Sequence, residues 1–413
     1  MPQLRSHSSS KRRSWRRVMI VRAALCLALM LLPACTFQGR PQALPFERQE
    51  GAEVAGYGTV RFWADGIDSR VPAYLDNQYR QIAASGCRAC RNEASFLAIS
   101  GGGADGAYGA GVLKGWSERG DRPRFEVVTG VSTGSLAAPF VFAGPAYDAA
   151  LEEIYTRYGD SDLFRNRGIV GLLGDSLYDT EPLRRLIERH ADDALLDTIA
   201  TEHRKGRRLL VQTTNLDAQR PVVWDLGAIA ASGNPERRKL FVDALLASAA
   251  IPGVFPPVAL NVASEGRLYD ELHVDGGVSA QIFFAPPGLD LNGAARRHFG
   301  HERHLSLYVV RNGKLGPEYK ASERSVMALA SRSITTLVKY QSLANITTLS
   351  EVARQMKADF AFAAVPESFA VQPRSEFDPL YMQALFRMGY QDALRGQAWR
   401  KTPPASPMLA LRR

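Results

Sequence analysis

Two short, mostly apolar runs, each ended by glycine, set the pattern of this 413-residue chain. Residues 96–99 (Phe-Leu-Ala-Ile) are followed by Ser100 and three consecutive glycines, and residues 125–128 (Phe-Glu-Val-Val) lead into Gly130, Val131, Ser132, Thr133 and Gly134. Runs of this length predict strands buried on both faces, as in a parallel sheet. Between them, from Asp105 to Trp116, Ala, Val, Leu and Trp recur at helical spacing. The segment 95–138 thus reads strand, glycine loop, helix, strand, sharp turn, helix, which is a β-α-β unit with a second helix behind it.

The rest of the chain gives weaker signals of the same kind. Residues 59–65 predict a strand and 71–84 a helix. Helical periodicity returns at 145–158 and at 181–191, the latter with Thr180 as N-cap and Pro182 in the first turn. Residues 208–213 and 222–224 predict short strands joined by the turn-rich Asn-Leu-Asp-Ala-Gln-Arg-Pro. A helix of small residues over 243–257 is broken by Ile251-Pro252-Gly253. Residues 269–274 predict a strand that ends in Asp275, Gly276 and Gly277. A further strand follows at 305–310, one or two helices at 322–359 and a terminal helix at 379–395. There is no internal repeat. Strands alternating with helices predict an α/β fold, three-layer α/β/α with a mainly parallel central sheet and a helical C-terminal extension.

The N-terminus has a different character. Lys11, Arg12, Arg13, Arg16, Arg17 and Arg22 precede the apolar run 23–32, which ends in Leu32-Pro33-Ala34-Cys35. A basic segment, an apolar stretch too short to span a bilayer and small residues at its end predict a secretory signal over 1–34. The last four residues resemble a bacterial lipobox, which makes Cys35 the expected lipidation site and membrane anchor. Residues 35–56 then read as a tether, 57–94 as an N-terminal extension, 95–289 as the main domain, and 290–413 as the strand and helices completing it.

Removing the signal also changes the charge. The chain carries 51 basic and 42 acidic residues, but without residues 1–34 the basic count falls to 44. The net charge is then close to neutral, so neither a nucleic-acid partner nor a polybasic membrane patch is expected. Of the four cysteines, Cys26 leaves with the signal. Cys87 and Cys90 form a Cys-x-x-Cys without a second pair to complete a zinc site, and are expected to form a local disulfide.

Two features carry candidate chemistry. The glycine loop at Gly101, Gly102 and Gly103 opens a helix, where backbone amides and the helix dipole favour an anion, either a phosphate or a reaction oxyanion. Gly130-Val131-Ser132-Thr133-Gly134 has the G-x-S-x-G form of a nucleophile elbow, in which a strained turn exposes the serine above the sheet edge. Each is weak alone, but each stands at the end of its own strand about thirty residues from the other.

The ordered set SGGGADGAYGAG, GVSTG, ASAAIPGVFPPV and VDGG resembles the patatin-like phospholipase family over about 95–285. The resemblance implies a lipid acyl hydrolase that takes phospholipid or another lipid ester. Ser132 would be the nucleophile, Asp275 its partner, Gly101 to Gly103 the oxyanion loop, and Gly130 and Gly134 the glycines of the elbow, with no cofactor and no metal. The family usually has Arg or Lys where this chain has Asp105. A carboxylate facing an oxyanion opposes catalysis, so Asp105 is expected to turn away, toward the following helix.

Other readings compete. An α/β-hydrolase triad would use Ser132, then Asp225 or Asp275, then His298, His301 or His304. Those histidines lie in a polar, basic stretch more typical of a solvated helix. His301 and His304 have metal-ligand spacing but no third ligand in view. A dinucleotide site would want an acid at the end of the second strand, where GVSTG stands instead. A non-catalytic lipid-binding lipoprotein would keep the fold, and Asp105 alone suggests it.

Overall fold

Both glycine-terminated runs are central strands of a nine-stranded mixed sheet in the computed structural model, which describes residues 40, 42–66, 68–168, 174–286 and 288–403. The chain divides between Ala43 and Leu44 into two units, and the fold is that of the second. The signal segment 1–34, Cys26 and Cys35 lie outside the described residues.

In chain order the strands are β1 (Arg61–Trp63), β2 (Glu93–Ile99), β3 (Val127–Val131), β4 (Arg165–Asn166), β5 (Tyr178–Asp179), β6 (Arg208–Asn215), β7 (Arg220–Asp225), β8 (Val258–Ser264), β9 (Arg267–Asp275), β10 (His304–Arg311) and β11 (Asp359–Ala364). The main sheet has the order β1-β7-β6-β3-β2-β10-β11. The run from β6 to β11 is parallel, whereas β7, β1, β9 and β8 each pair antiparallel with their neighbours. β4 and β5 form a separate small hairpin.

The helices that matter for the site are α1 (Val71–Ala84), α2 (Gly106–Arg119), α3 (Thr133–Ala143), α4 (Glu181–His190), α5 (Arg237–Ser248), α6 (Val326–Gln355) and α7 (Pro379–Leu394). They cover both faces of the sheet, giving the three layers. Strand β2 shows why both faces must be covered: Leu97 and Ile99 pack into the core beneath α2 and α7, while Phe96 and Ala98 pack into the core beneath α1 and α6. Side chains two apart share a face, so the apolar run Phe96 to Ile99 has no face to offer to water.

The close approach of α7 to α2 accounts for glycines that the loop alone does not explain. A Cβ at Gly111 would run into the Phe386 carbonyl, and one at Gly389 into the Tyr108 carbonyl. The C-terminal helix therefore lies backbone to backbone on the helix that follows the glycine loop, and completes the domain rather than trailing from it.

Several boundaries differ from the sequence reading. The expected tether is shorter, because from Leu44 onward the chain packs on the β8–β9 hairpin: Leu44 and Ala52 are buried with Val262, and Tyr269 packs against them. Glu53 also pairs with Ala263. Segment 145–158 splits into a 3-10 turn at Pro145–Tyr147 and a helix at Asp148–Thr156. Thr180 occupies the N-cap position of α4 without a side-chain cap bond. The helix expected over 243–257 starts earlier, at Arg237, and ends at Ser248, ahead of the Ile-Pro-Gly break. Residues 322–359 give one helix, α6, and Asp359 already opens β11. Cys87 and Cys90 are disulfide-bonded.

Candidate functional site

The ladder of β6 brings the two key side chains together. β3 pairs with β6 only as far as Val131 opposite Gln212. One residue further along β6, Thr213 is opposite Asp275, the last residue of the antiparallel strand β9. β3 and β9 therefore meet end to end along one strand, with Ser132 leaving the first and Asp275 ending the second. The Ser132 hydroxyl lies near enough to the Asp275 carboxylate to lower its affinity for a proton.

Ser132 has φ 53°, a conformation that side chains other than glycine rarely adopt. The turn is held by its surroundings. The Ser132 amide donates to Ser248 Oγ at 3.1 Å, and the Ser248 hydroxyl donates to the Gln212 carbonyl at 2.7 Å. The Ser132 carbonyl accepts from the Ser135 amide at 2.9 Å and the Ser135 hydroxyl at 2.6 Å. The elbow glycines are spatially required: a Cβ at Gly134 would strike the carbonyls of Ile99 and Ser100, and one at Gly130 would strike Gly134.

Asp275 is buried. Its amide donates to the Ala250 carbonyl at 2.8 Å, and its carboxylate accepts from the Gly277 amide at 2.7 Å. Burial pushes its carboxyl up to about 6, against the opposing pull of the Ser132 hydroxyl and the Gly277 amide. A carboxylate with that affinity for a proton is a far better base than a solvated one.

The glycine loop differs from expectation in one respect. The Gly101 amide is already spent on the Gln281 carbonyl at 3.2 Å, so it is not a free oxyanion donor. Among the described residues no acceptor takes the amides of Gly102 and Gly103. Both have positive φ, at 155° and 55°, and a Cβ on Gly102 would overlap the Asn312 carbonyl. The amide of Thr133, first residue of α3, is likewise without an acceptor among the described residues.

Asp105 turns away from the loop, but not to cap α2. It occupies the N-cap position without a side-chain cap bond, and instead accepts from Tyr381 of α7 at 2.6 Å. Burial raises its carboxyl above the ordinary range. A cation does stand beside the loop, supplied by β10: the buried Arg311 donates to the carbonyls of Gly101 at 2.9 Å and Asn312 at 2.8 Å. Asn312 in turn donates from its amide to Ser100 Oγ and from Nδ2 to the Ser100 carbonyl, each at 2.8 Å. Nothing in the local pattern around 305–311 separates Arg311 from an ordinary strand-end arginine, and the sequence reading missed it. Ser248 lay inside a recognised motif, without a role.

The candidate triad histidines are elsewhere. His298 bonds to Asp76 at 2.6 Å, His301 to Asn92 at 3.0 Å, and His304 forms an ion pair with Asp359 at 3.1 Å. His304 pairs with Glu93 at the start of β2, the end of the sheet opposite the glycine loop. Asp225 caps a short helix and accepts from Tyr74.

Ser132 lines an apolar cavity. Its walls come from α3 (Leu136, Phe140), α4 (Leu183, Leu186, Ile187), the end of α5 (Leu245) and the aromatic rings of Phe164, Phe255 and Phe377. Apart from Ser132, Thr133, Tyr155 and His190, the lining side chains are apolar. Among the described residues no helix is long and apolar enough to cross a membrane, and no cluster of three or more His, Cys, Asp or Glu is placed to hold a metal.

Residues 97–286 match the family model of patatin-like phospholipases. Among solved structures the chain is similar to VipD from Legionella pneumophila, at 12% identity over 74% of this chain and 67% of that one, with a TM-score of 0.41. It is also similar to human GIVD cytosolic phospholipase A2 (11% identity, 77% and 53% of the two chains, TM-score 0.29). For the type III effector protein ExoU the values are 13%, 76%, 56% and 0.21. The chain thus spans little more than half the length of the last two. No curated protein matches it.

Proposed function

Starting from a chain that carries a patatin-like phospholipase domain over residues 97–286, we propose that it hydrolyses lipid esters, phospholipid or lysophospholipid, through Ser132 and Asp275. The observation that carries this reading is the meeting of β3 and β9 along β6, which sets Ser132, on a strained turn lining an apolar cavity, beside the buried carboxylate of Asp275. Ser132 Oγ attacks the ester carbonyl while its proton passes to Asp275. The amides of Gly102 and Gly103, with that of Thr133, receive the negative charge that develops on the carbonyl oxygen. Asp275 returns the proton to the departing alcohol, leaving the acyl group on Ser132. Water then attacks the acyl-enzyme, gives its proton to Asp275, and releases the fatty acid as the proton goes back to Ser132.

The cavity supports a long acyl chain as the part of the substrate that is bound. Its walls make few polar contacts, so recognition rests on apolar area removed from water. The same reading makes the chain an exported lipoprotein held at a membrane through acylated Cys35, on the strength of the basic and apolar N-terminal pattern. A correctly cleaved Cys35→Ser protein that still partitions fully with membranes contradicts the anchor. For the chemistry, the test is release of fatty acid from phospholipid, lysophospholipid and short-chain esters by the wild type and by Ser132→Ala. Turnover by the wild type that Ser132→Ala abolishes is the expected result. A folded wild type that hydrolyses none of them points to lipid binding without catalysis.

A further inference from the structure

The 30-residue helix α6 is half inside the molecule and half outside it. Ile346, Leu349 and Ala353 in its C-terminal half are buried against the sheet. In its N-terminal half Val326, Leu329, Ile334, Leu337 and Tyr340 are 84%, 52%, 53%, 70% and 62% exposed. At about 100° per residue these five fall within an arc of about 140°, and the buried positions lie roughly on the opposite side of the helix. The exposed stripe therefore faces away from the body, and none of the described residues covers it. Tyr319, in the segment leading into the helix, is 96% exposed. Scattered exposed apolar residues need no explanation, but a continuous stripe does.

Two observations choose its occupant. The first is charge: the helix carries no acidic residue between Val326 and Ser350, and Lys320 and Arg324 lead into it beside Glu323, while Arg332 and Lys339, on the body side, are tied back to Glu318 and Gly316. An apolar face that holds no acid and is approached by Lys320 and Arg324 suits a surface with an apolar interior and anionic head groups. The second is position. Gln341 Nε2 donates to the Ser279 carbonyl at 2.9 Å, and Asn345 Oδ1 accepts from the amides of Gln281 and Ile282 at 3.0 and 3.2 Å. Those residues belong to the loop that follows Asp275, and Gln281 also holds Gly101. The stripe begins where the site's own loop is tied to the helix.

We propose that the exposed face of α6 is the surface on which this protein docks to a lipid bilayer with anionic head groups, setting the site against its substrate. The inference rests on the reading of that site as one that takes lipid esters. Docking at this face presents the loop at 276–282 and the neighbouring Ser132 to the bilayer, so that a lipid leaves one apolar phase for another without crossing water.

The test compares the wild type with Ile334→Gln/Leu337→Gln and with Lys320→Glu/Arg324→Glu, all carrying Cys35→Ser so that no acyl chain contributes. Binding is read by co-sedimentation with vesicles of phosphatidylcholine and phosphatidylglycerol at 3:1, and with phosphatidylcholine vesicles alone. Activity is read on the same vesicles and on a soluble short-chain ester. The expected result is at least tenfold weaker binding and vesicle hydrolysis for the apolar variant, with turnover of the soluble ester within twofold of wild type. The charge variant should lose binding on the anionic vesicles and little on the neutral ones. Unchanged co-sedimentation of the apolar variant overturns the proposal. So does a wild-type dimer that becomes monomeric in the variant while vesicle binding persists, which assigns the stripe to a second copy. A wild type that binds vesicles through the stripe but hydrolyses neither substrate leaves the docking face standing and removes the hydrolase reading.

Discussion

At the scale of single residues, Asp275 makes the most specific claims. If it is the base, it must be ionised to work, and burial holds its carboxyl at about 6. Turnover of a soluble ester should therefore fall about tenfold per pH unit below that value and level off above it, as read from kcat/KM of the free enzyme. A flat profile from about pH 5 to about pH 8 would remove Asp275 from proton transfer. Ser132→Ala and Asp275→Asn should each lower kcat by about 1000-fold or more, and the double variant should be hardly worse than Ser132→Ala, because a base without a nucleophile has nothing to activate. Stability should move the other way. An acid whose folded value lies above its ordinary 3.8 binds more protons when folded, so stability declines as pH rises from about 4 through about 6 and stays lower above. Asp275→Asn should then melt higher than the wild type at about pH 8, with the difference vanishing near pH 4. Calorimetry at the two pH values decides.

Elements show what was legible in the sequence and what was not. The β-α-β unit around the glycine loop and the elbow could be read because each piece is local: an apolar strand, glycines at positions where a Cβ would strike backbone, and a helix pattern directly behind. Val71–Ala84 was legible for the same reason. What escaped was long-range. Nothing near residue 248 says that its hydroxyl will bridge the Ser132 amide and the Gln212 carbonyl, and nothing near residue 311 says that a strand-end arginine will grip the glycine loop. The spent amide of Gly101 depends on Gln281, which is 180 residues away in the chain. Ser248→Ala leaves two buried backbone groups unpaired, a cost of about 1–3 kcal/mol for each. A lower melting temperature together with reduced kcat is expected, whereas a merely structural serine would lower stability alone. Arg311→Met should let the loop shift and lower kcat by about 100-fold with KM little changed, since small misplacements at a reacting centre cost that much. Arg311→Lys, which keeps the charge and a donor, should recover part of the loss.

For the molecule as a whole, the two ends of the parallel sheet have separate duties. The glycine loop, Ser132, Asp275 and Arg311 gather at the C-terminal ends of β2, β3 and β10, where open α/β sheets commonly place their ligands. His304 lies at the other end, and His298 and His301 are engaged with Asp76 and Asn92. Replacing all three histidines by Gln should accordingly leave turnover within about tenfold, while loss of a triad histidine costs orders of magnitude more. Collapse of the rate in a folded triple variant would favour a triad.

The meeting of β3 and β9 along β6 also bears on how the protein fails. Ser132 and Asp275, which hang on ladders of one central strand, cannot drift apart by the wandering of a surface loop; they part only when the sheet itself opens. The amides of β6 around Gln212 and Thr213 should then be among the slowest in the chain to exchange with deuterium. On heating, activity and the folded signal should be lost together, in one step, with no interval in which a still-folded protein has already gone silent.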